Sequence, residues 1–149
     1  MHAKLSETYL AQGLSDEQVD RLLSIATPIT LSKGDFLFKQ HDKGDDLFVL
    51  LTGRLSVLAS NNDVVNKVNP GGVVGELALL DERPRSATVV ADVECELLRF
   101  WSESMRQMMK DECPIGARIL WNISRTLSER LRSANIQIEA LLVASGVDF

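Results

Sequence analysis

The chain has 149 residues and a formal net charge of −5. That is enough for one domain with a sizeable core, and it is the wrong sign for a bulk nucleic-acid partner, whose affinity rests mainly on phosphate neutralisation. The two cysteines, Cys95 and Cys113, stand in no paired-ligand spacing, which argues against a disulfide scaffold and against a zinc or iron–sulfur centre.

The N-terminus lacks a basic segment followed by a long apolar run, so no signal peptide is expected. No apolar stretch reaches ~18 residues, so no membrane span is expected, and the cytosol is the expected location. Residues 14–26 read as a helix. Ser15 with Gln18 makes a capping box, and Leu14, Val19, Leu22, Leu23 and Ile25 supply an apolar side. Pro28 marks the exit. From Ile29 to Trp101 short apolar runs alternate with turn clusters such as Lys33-Gly34-Asp35, Lys43-Gly44-Asp45 and Asn69-Pro70-Gly71-Gly72. The strand-sized runs are 36–39, 47–51, 54–59, 64–68, 87–91 and 94–100. Roughly eight short strands in this texture predict an antiparallel sandwich, barrel or jelly roll. Gly53 reads as a tight turn or bulge.

Beyond Trp101 the pattern turns helical. Ser102 is placed to cap a short helix running to Lys110, and Pro114 fits the first turn of a longer one. In that longer helix Leu120, Ser124, Leu127, Leu131, Ala134, Ile138 and Leu141 follow in steps of four and three. Such a heptad seam predicts a homodimer, with packing on the chain's own strands as the alternative. Ile119, Ile123 and Leu142 widen it. Trp101 and Trp121 read as core or edge packing, His41 as a solvated loop residue and His2 as part of a frayed end. The expected organisation is one domain over 1–149: a helical segment 1–28, strands over 29–101, and helices over 102–149.

Residues 71–88 carry the chemistry. Glycines run into a short stretch of helix formers, Glu76 to Leu80, and a glycine-led turn into a helix start leaves backbone N–H groups that attract an anion. Pro84 stiffens the next turn and presents Arg85, whose guanidinium can grip two phosphate oxygens at once. Ser86 adds a hydroxyl, and Ala87 allows close backbone approach. Glu76 is out of place in a pure anion site and fits a ligand that also offers a hydroxyl donor. Taken singly, the glycines and Pro84 would be turn formers, Glu76 a local cap or ion-pair partner, and Arg85 a surface ion-pair partner.

Gly75-Glu76-Leu77-Ala78-Leu79 followed by Pro84-Arg85-Ser86-Ala87-Thr88 resembles the phosphate-binding cassette of the cyclic-nucleotide-binding domain family. Members include the bacterial catabolite activator and the regulatory subunits of cyclic-AMP-dependent protein kinase. The resemblance covers nearly the whole chain and implies an α+β fold, mainly β: a jelly-roll β-roll with an N-terminal helix and two C-terminal helices. It implies that Glu76 accepts from a ribose 2′-hydroxyl and that Arg85 pairs with the cyclic phosphate. Backbone N–H groups of Leu77, Ala78 and Ala87 would complete the cradle beside Gly75, with the Ser86 hydroxyl assisting. The spacing of nine from Glu76 to Arg85 is similar to the kinase subunits and one shorter than in the catabolite activator. In that activator two adjacent hydroxyl residues of the long helix reach adenine, and Ala134 and Asn135 align there. Asn135 is therefore the expected base contact, and the ligand is cyclic AMP or cyclic GMP, with Ser86 compatible with either.

The implied function is a ligand-sensing module relaying through its last helix. The alternatives are the sensor part of a transcription regulator whose DNA-binding domain is not in this sequence, and a ligand-free interaction domain. No metal set or acid–base dyad is evident, so an enzyme is not expected.

Overall fold

The computed structural model describes residues 1–146, so the last three residues of the expected helical segment lie outside it. The chain opens with helix α1 (His2–Ser6) and a 3-10 turn (Tyr9–Ala11), then α2 (Asp16–Leu23). Ser15 caps α2 with both halves of the capping box formed, worth roughly 0.5–2 kcal/mol. The first two elements are too short to leave a periodic signature. His2 is not frayed: it opens α1, and its Nε2 lies 3.3 Å from Asp20 Oδ1.

Eight strands follow: β1 (Thr27–Leu31), β2 (Phe36–Phe38), β3 (Asp46–Thr52), β4 (Leu55–Leu58), β5 (Val64–Val68), β6 (Val73–Val74), β7 (Thr88–Ala91) and β8 (Cys95–Trp101). A four-residue helix α3 (Leu77–Leu80) interrupts them between β6 and β7. Two antiparallel four-stranded sheets form, in the orders β1-β8-β3-β6 and β2-β7-β4-β5. Pro28 lies within β1 rather than closing a helix. The strand is at a sheet edge, where the missing N–H costs no ladder bond. At Gly53, φ is +99° and a Cβ would meet the Glu94 carbonyl oxygen at 2.5 Å.

The near-continuous apolar runs of β3 and β8 follow from period two with both faces covered. Phe48 and Leu50 face the space between the sheets, with Cys95 and Leu97. Leu47, Val49 and Leu51 face the helices, with Leu98 and Phe100. One pair of strands thus serves two cores, and each fully buried Leu or Phe contributes ~1.5–3 kcal/mol. The even-numbered residues of β3 and the odd-numbered residues of β8 share the inner face, so Asp46, Phe48, Arg99 and Trp101 lie together, with Phe48 paired to Arg99 and Asp46 to Trp101.

Helices α4 (Ser102–Asp111) and α5 (Cys113–Ala144) close the described chain. Ser102 does not cap α4. It is the first helical residue, Trp101 occupies the cap position, and the Ser102 hydroxyl is buried without a partner. The buried residues of α5, Ile115, Gly116, Ile119, Asn122 and Ile123, all lie in its first half. The Asn122 amide donates to the carbonyls of Leu10 and Gln12, each at 2.9 Å, tying α5 to the 3-10 turn. The seam itself is left uncovered: Leu120, Leu131, Ile138 and Leu141 are exposed, as is Trp121. Leu127 alone of the seam is partly buried against the domain. No helix among the described residues is long and apolar enough to cross a membrane.

Candidate ligand-binding site

The cassette is positioned by β6, which pairs with β3 through Val74–Phe48 and Val73–Val49. Gly75 then turns the chain at φ +79°, Glu76 occupies the cap position of α3, and Arg106 of α4 donates to the Ala78 and Leu79 carbonyls at 3.4 and 3.5 Å. On the far side, the Arg85 N–H donates to the Asp42 carbonyl at 2.8 Å, and the Arg85 carbonyl accepts from His41 N–H at 2.9 Å. Between these anchors lies a cavity of about 430 Å³, a size suited to one small organic ligand.

Of the residues expected from sequence, Gly75, Glu76, Leu77, Ala78, Arg85, Ser86 and Ala87 all line that cavity. Asn135 does not; it is exposed on α5, because the helix leaves the domain after Arg130. The Ala78 N–H already donates to the Gly75 carbonyl at 3.1 Å, so one of the three expected amide donors is engaged.

Arg85 is 7% exposed. Its guanidinium lies 4.2 Å over the Phe38 ring. One terminal nitrogen donates to the Asp46 carbonyl at 2.8 Å and to the Asp46 carboxylate at 2.6 Å. Burial pushes the Arg85 pKa below its usual value; the Asp46 and Asp45 carboxylates pull it back up, and neighbouring Arg99 adds to the lowering. Two glycines make the slot. A Cβ on Gly44 would stand 2.0 Å from Arg85 Nε, and one on Gly75 would stand 2.6 Å from a terminal nitrogen. Buried Nε has no protein partner. A donor buried without a partner costs ~1–3 kcal/mol, and a guanidinium among the cavity-lining residues fits an anionic ligand.

Glu76 is 5% exposed, and its Oε1 accepts from an Arg130 terminal nitrogen, which comes from α5 and also lines the cavity. The Tyr9 hydroxyl, also buried without a partner, is held protonated beyond the ordinary phenol range, first by burial and then by the Glu76 charge, with Arg130 opposing. Sequence reasoning missed Phe38, Gly44, Asp46, Arg99 and Arg130. Asp46 had a faint signal, an acid heading an otherwise apolar strand; Arg130 sits in a polar stretch of helix and had none. No cluster of metal-ligating side chains occurs among the described residues.

Comparison with known proteins agrees with this geometry. The family described as the cyclic nucleotide-binding domain matches residues 28–112. The cyclic AMP receptor protein of Thermus thermophilus is 31% identical over 136 residues, covering 89% of this chain and 61% of that protein. The type II regulatory subunit of cAMP-dependent protein kinase of Drosophila melanogaster is 33% identical over 100 residues, covering 67% of this chain and 26% of that subunit. The chain thus spans about three fifths and about a quarter of these relatives. A crystal structure of a cyclic nucleotide-binding domain from Methylobacillus flagellatus superposes with a TM-score of 0.86, covering 93% of this chain and 83% of the other. At 23% identity that is a likeness of fold. A family match over more than half of the sequence, on a β-roll with this cassette, places the chain: it belongs to the cyclic nucleotide-binding domain family, a class of regulatory binding modules.

Proposed function

We propose that this chain is a sensor that binds one cyclic mononucleotide, cyclic AMP foremost and cyclic GMP as the alternative, and reports it through α5. The observation that carries the reading is the buried Arg85 guanidinium, a cationic side chain among the residues that line the cavity. The cyclic phosphate would pair with that guanidinium, and the ribose 2′-hydroxyl would donate to Glu76. Support for the relay comes from the Glu76–Arg130 pair. A ribose that takes up Glu76 competes with Arg130, so ligand and helix position draw on the same carboxylate. Only such differential contact lets a ligand shift an equilibrium. The exposed α5 seam supports a homodimer.

Calorimetric titration with cyclic AMP and cyclic GMP, beside Arg85→Ala, tests the reading. Binding that collapses in the variant is expected, and the tighter nucleotide identifies the base. No heat and no thermal shift with either nucleotide would sink it. A second reading, the sensor part of a longer transcription regulator, is favoured by the coverage of the Thermus relative, whose remaining two fifths lie outside the match.

A further inference from the structure

Asp46 is 5% exposed and holds two guanidinium groups at once. Its Oδ1 accepts from Arg85 at 2.6 Å, and its Oδ2 accepts from Arg99 Nε. Arg99 is one-third exposed and reaches Asp46 from β8, where it stands opposite Phe48 on the inner face. Its guanidinium is stacked 3.8 Å from the Trp101 ring centroid and lies 6.0 Å over Phe48. The stack and the carboxylate fix this cation without any contact to the cavity, whose lining does not include it.

We infer that Arg99 is a positioning residue for the anion site: it holds the Asp46 charge so that the Arg85 guanidinium can serve the ligand. The argument is one of formal charge. Arg85 and Asp46 alone would be a neutral buried pair. An entering anion would have to draw Arg85 from its carboxylate and leave that carboxylate buried without a counter-charge, which is among the costlier arrangements in a protein. With Arg99 present, two guanidinium charges face one carboxylate and one positive charge is left over. A cyclic phosphodiester carries one negative charge, so it completes the balance. The other nearby charges are paired elsewhere or face solvent. Glu76 is paired with Arg130, and exposed Arg83 lies 3.9 Å from Asp81. Asp45 also acts on Arg85, but it is exposed, where water and salt weaken its share relative to buried Asp46. This rests on the cyclic-nucleotide reading given above.

The test is a double-mutant cycle on cyclic AMP affinity, by calorimetry on the whole chain. Arg99→Met keeps an apolar stem for Trp101 and removes the charge; about tenfold weaker binding is expected. Arg99→Lys restores the charge without the planar fork and is expected to bind within about threefold of the parent. Asp46→Asn added to Arg99→Met removes the competing carboxylate and is expected to recover most of the loss. A merely structural Arg99 would not be rescued that way. Unchanged affinity in Arg99→Met overturns the inference, as does equal loss in Arg99→Lys, or failure of Asp46→Asn to restore binding. If Arg99→Met does not fold, Arg99→Gln takes its place in the cycle, removing the charge while keeping a polar side chain of similar length. A parent that binds neither nucleotide overturns the functional reading and this inference with it. A parent whose binding depends on Arg85 but not on Arg99 overturns this inference alone.

Discussion

Replacing Gly44 by alanine adds one carbon at the most crowded point of the site. The new Cβ would stand 2.0, 2.3 and 2.4 Å from Arg85 Nε, Cζ and one terminal nitrogen, where ordinary contact begins near 3.4 Å. The guanidinium must retreat by more than an ångström. That nitrogen donates to Asp46 at 2.6 and 2.8 Å, so a retreat of that size is expected to break both bonds. Gly44 is not in the left-handed region, so no backbone strain confuses the result. Loss of two charge-assisted bonds to a buried carboxylate costs ~2–4 kcal/mol. In urea unfolding, with a slope of ~1–3 kcal/mol per molar, the midpoint should fall by about 1–2 M. Cyclic AMP affinity should fall at least about tenfold as Arg85 loses its place. Gly34→Ala is the control. Its Cβ meets nothing within 4 Å, but φ is +89°, so only backbone strain of ~1 kcal/mol is expected, with affinity unchanged. An unchanged midpoint and unchanged affinity in Gly44→Ala would refute the clamped placement of Arg85.

Asp92 accepts from Lys67, Ser56 and Arg54, and hydrogen bonds from Lys67 and Ser56 lead in pulling its pKa from 3.8 down to about 2. Its folded-state pKa lies below the unfolded one, so its contribution is full above the unfolded value and is lost as pH falls from 3.8 through about 2; thermal scans of Asp92→Asn should show a flatter pH dependence there, and an unaltered slope would count against the cluster. Tyr9→Phe removes a buried hydroxyl with no partner, so stability should be unchanged or higher by up to ~1 kcal/mol. A loss above that size in thermal melts would mean the hydroxyl is satisfied after all. Leu131→Glu and Leu141→Glu place charges on the exposed seam and should give a monomer in sedimentation experiments where the parent is dimeric. A parent that is monomeric throughout, or variants that still pair, would end the homodimer proposal.

Local chemistry was legible wherever a few neighbouring residues decide the outcome. The Ser15–Gln18 box acts across three residues and appears as read. The apolar runs of β3 and β8 announced themselves because both faces are buried. The two-residue strand β6 and the five-residue helix α1 are too short to show a period. Ser102 looked like a cap, but the polypeptide enters α4 one residue earlier, directly from β8. Glu76 and Arg85 stood out through their spacing within a glycine-rich stretch. Their partners did not, because each arrives from far along the chain: Asp46 from 39 residues before Arg85, Arg99 from 53 beyond Asp46, and Arg130 from 54 beyond Glu76. Helical periodicity says which face Asn135 shares; it does not say where α5 parts from the domain.

That parting gives α5 a mechanical character. The helix is held at its base by Ile115, Ile119 and Asn122 and gripped once more at Arg130 by the cassette. From Arg130 to Ala144 it runs as an uninterrupted rod with almost no support from the rest of the chain. At 1.5 Å per residue that rod is roughly 20 Å long, so a tilt of about ten degrees at its root carries the tip through roughly 4 Å. On the proposed relay, a change of bonding partner at the Glu76 carboxylate would reach the far end enlarged into a displacement of about one atom's width, and the gain would be set by the length of helix beyond Arg130.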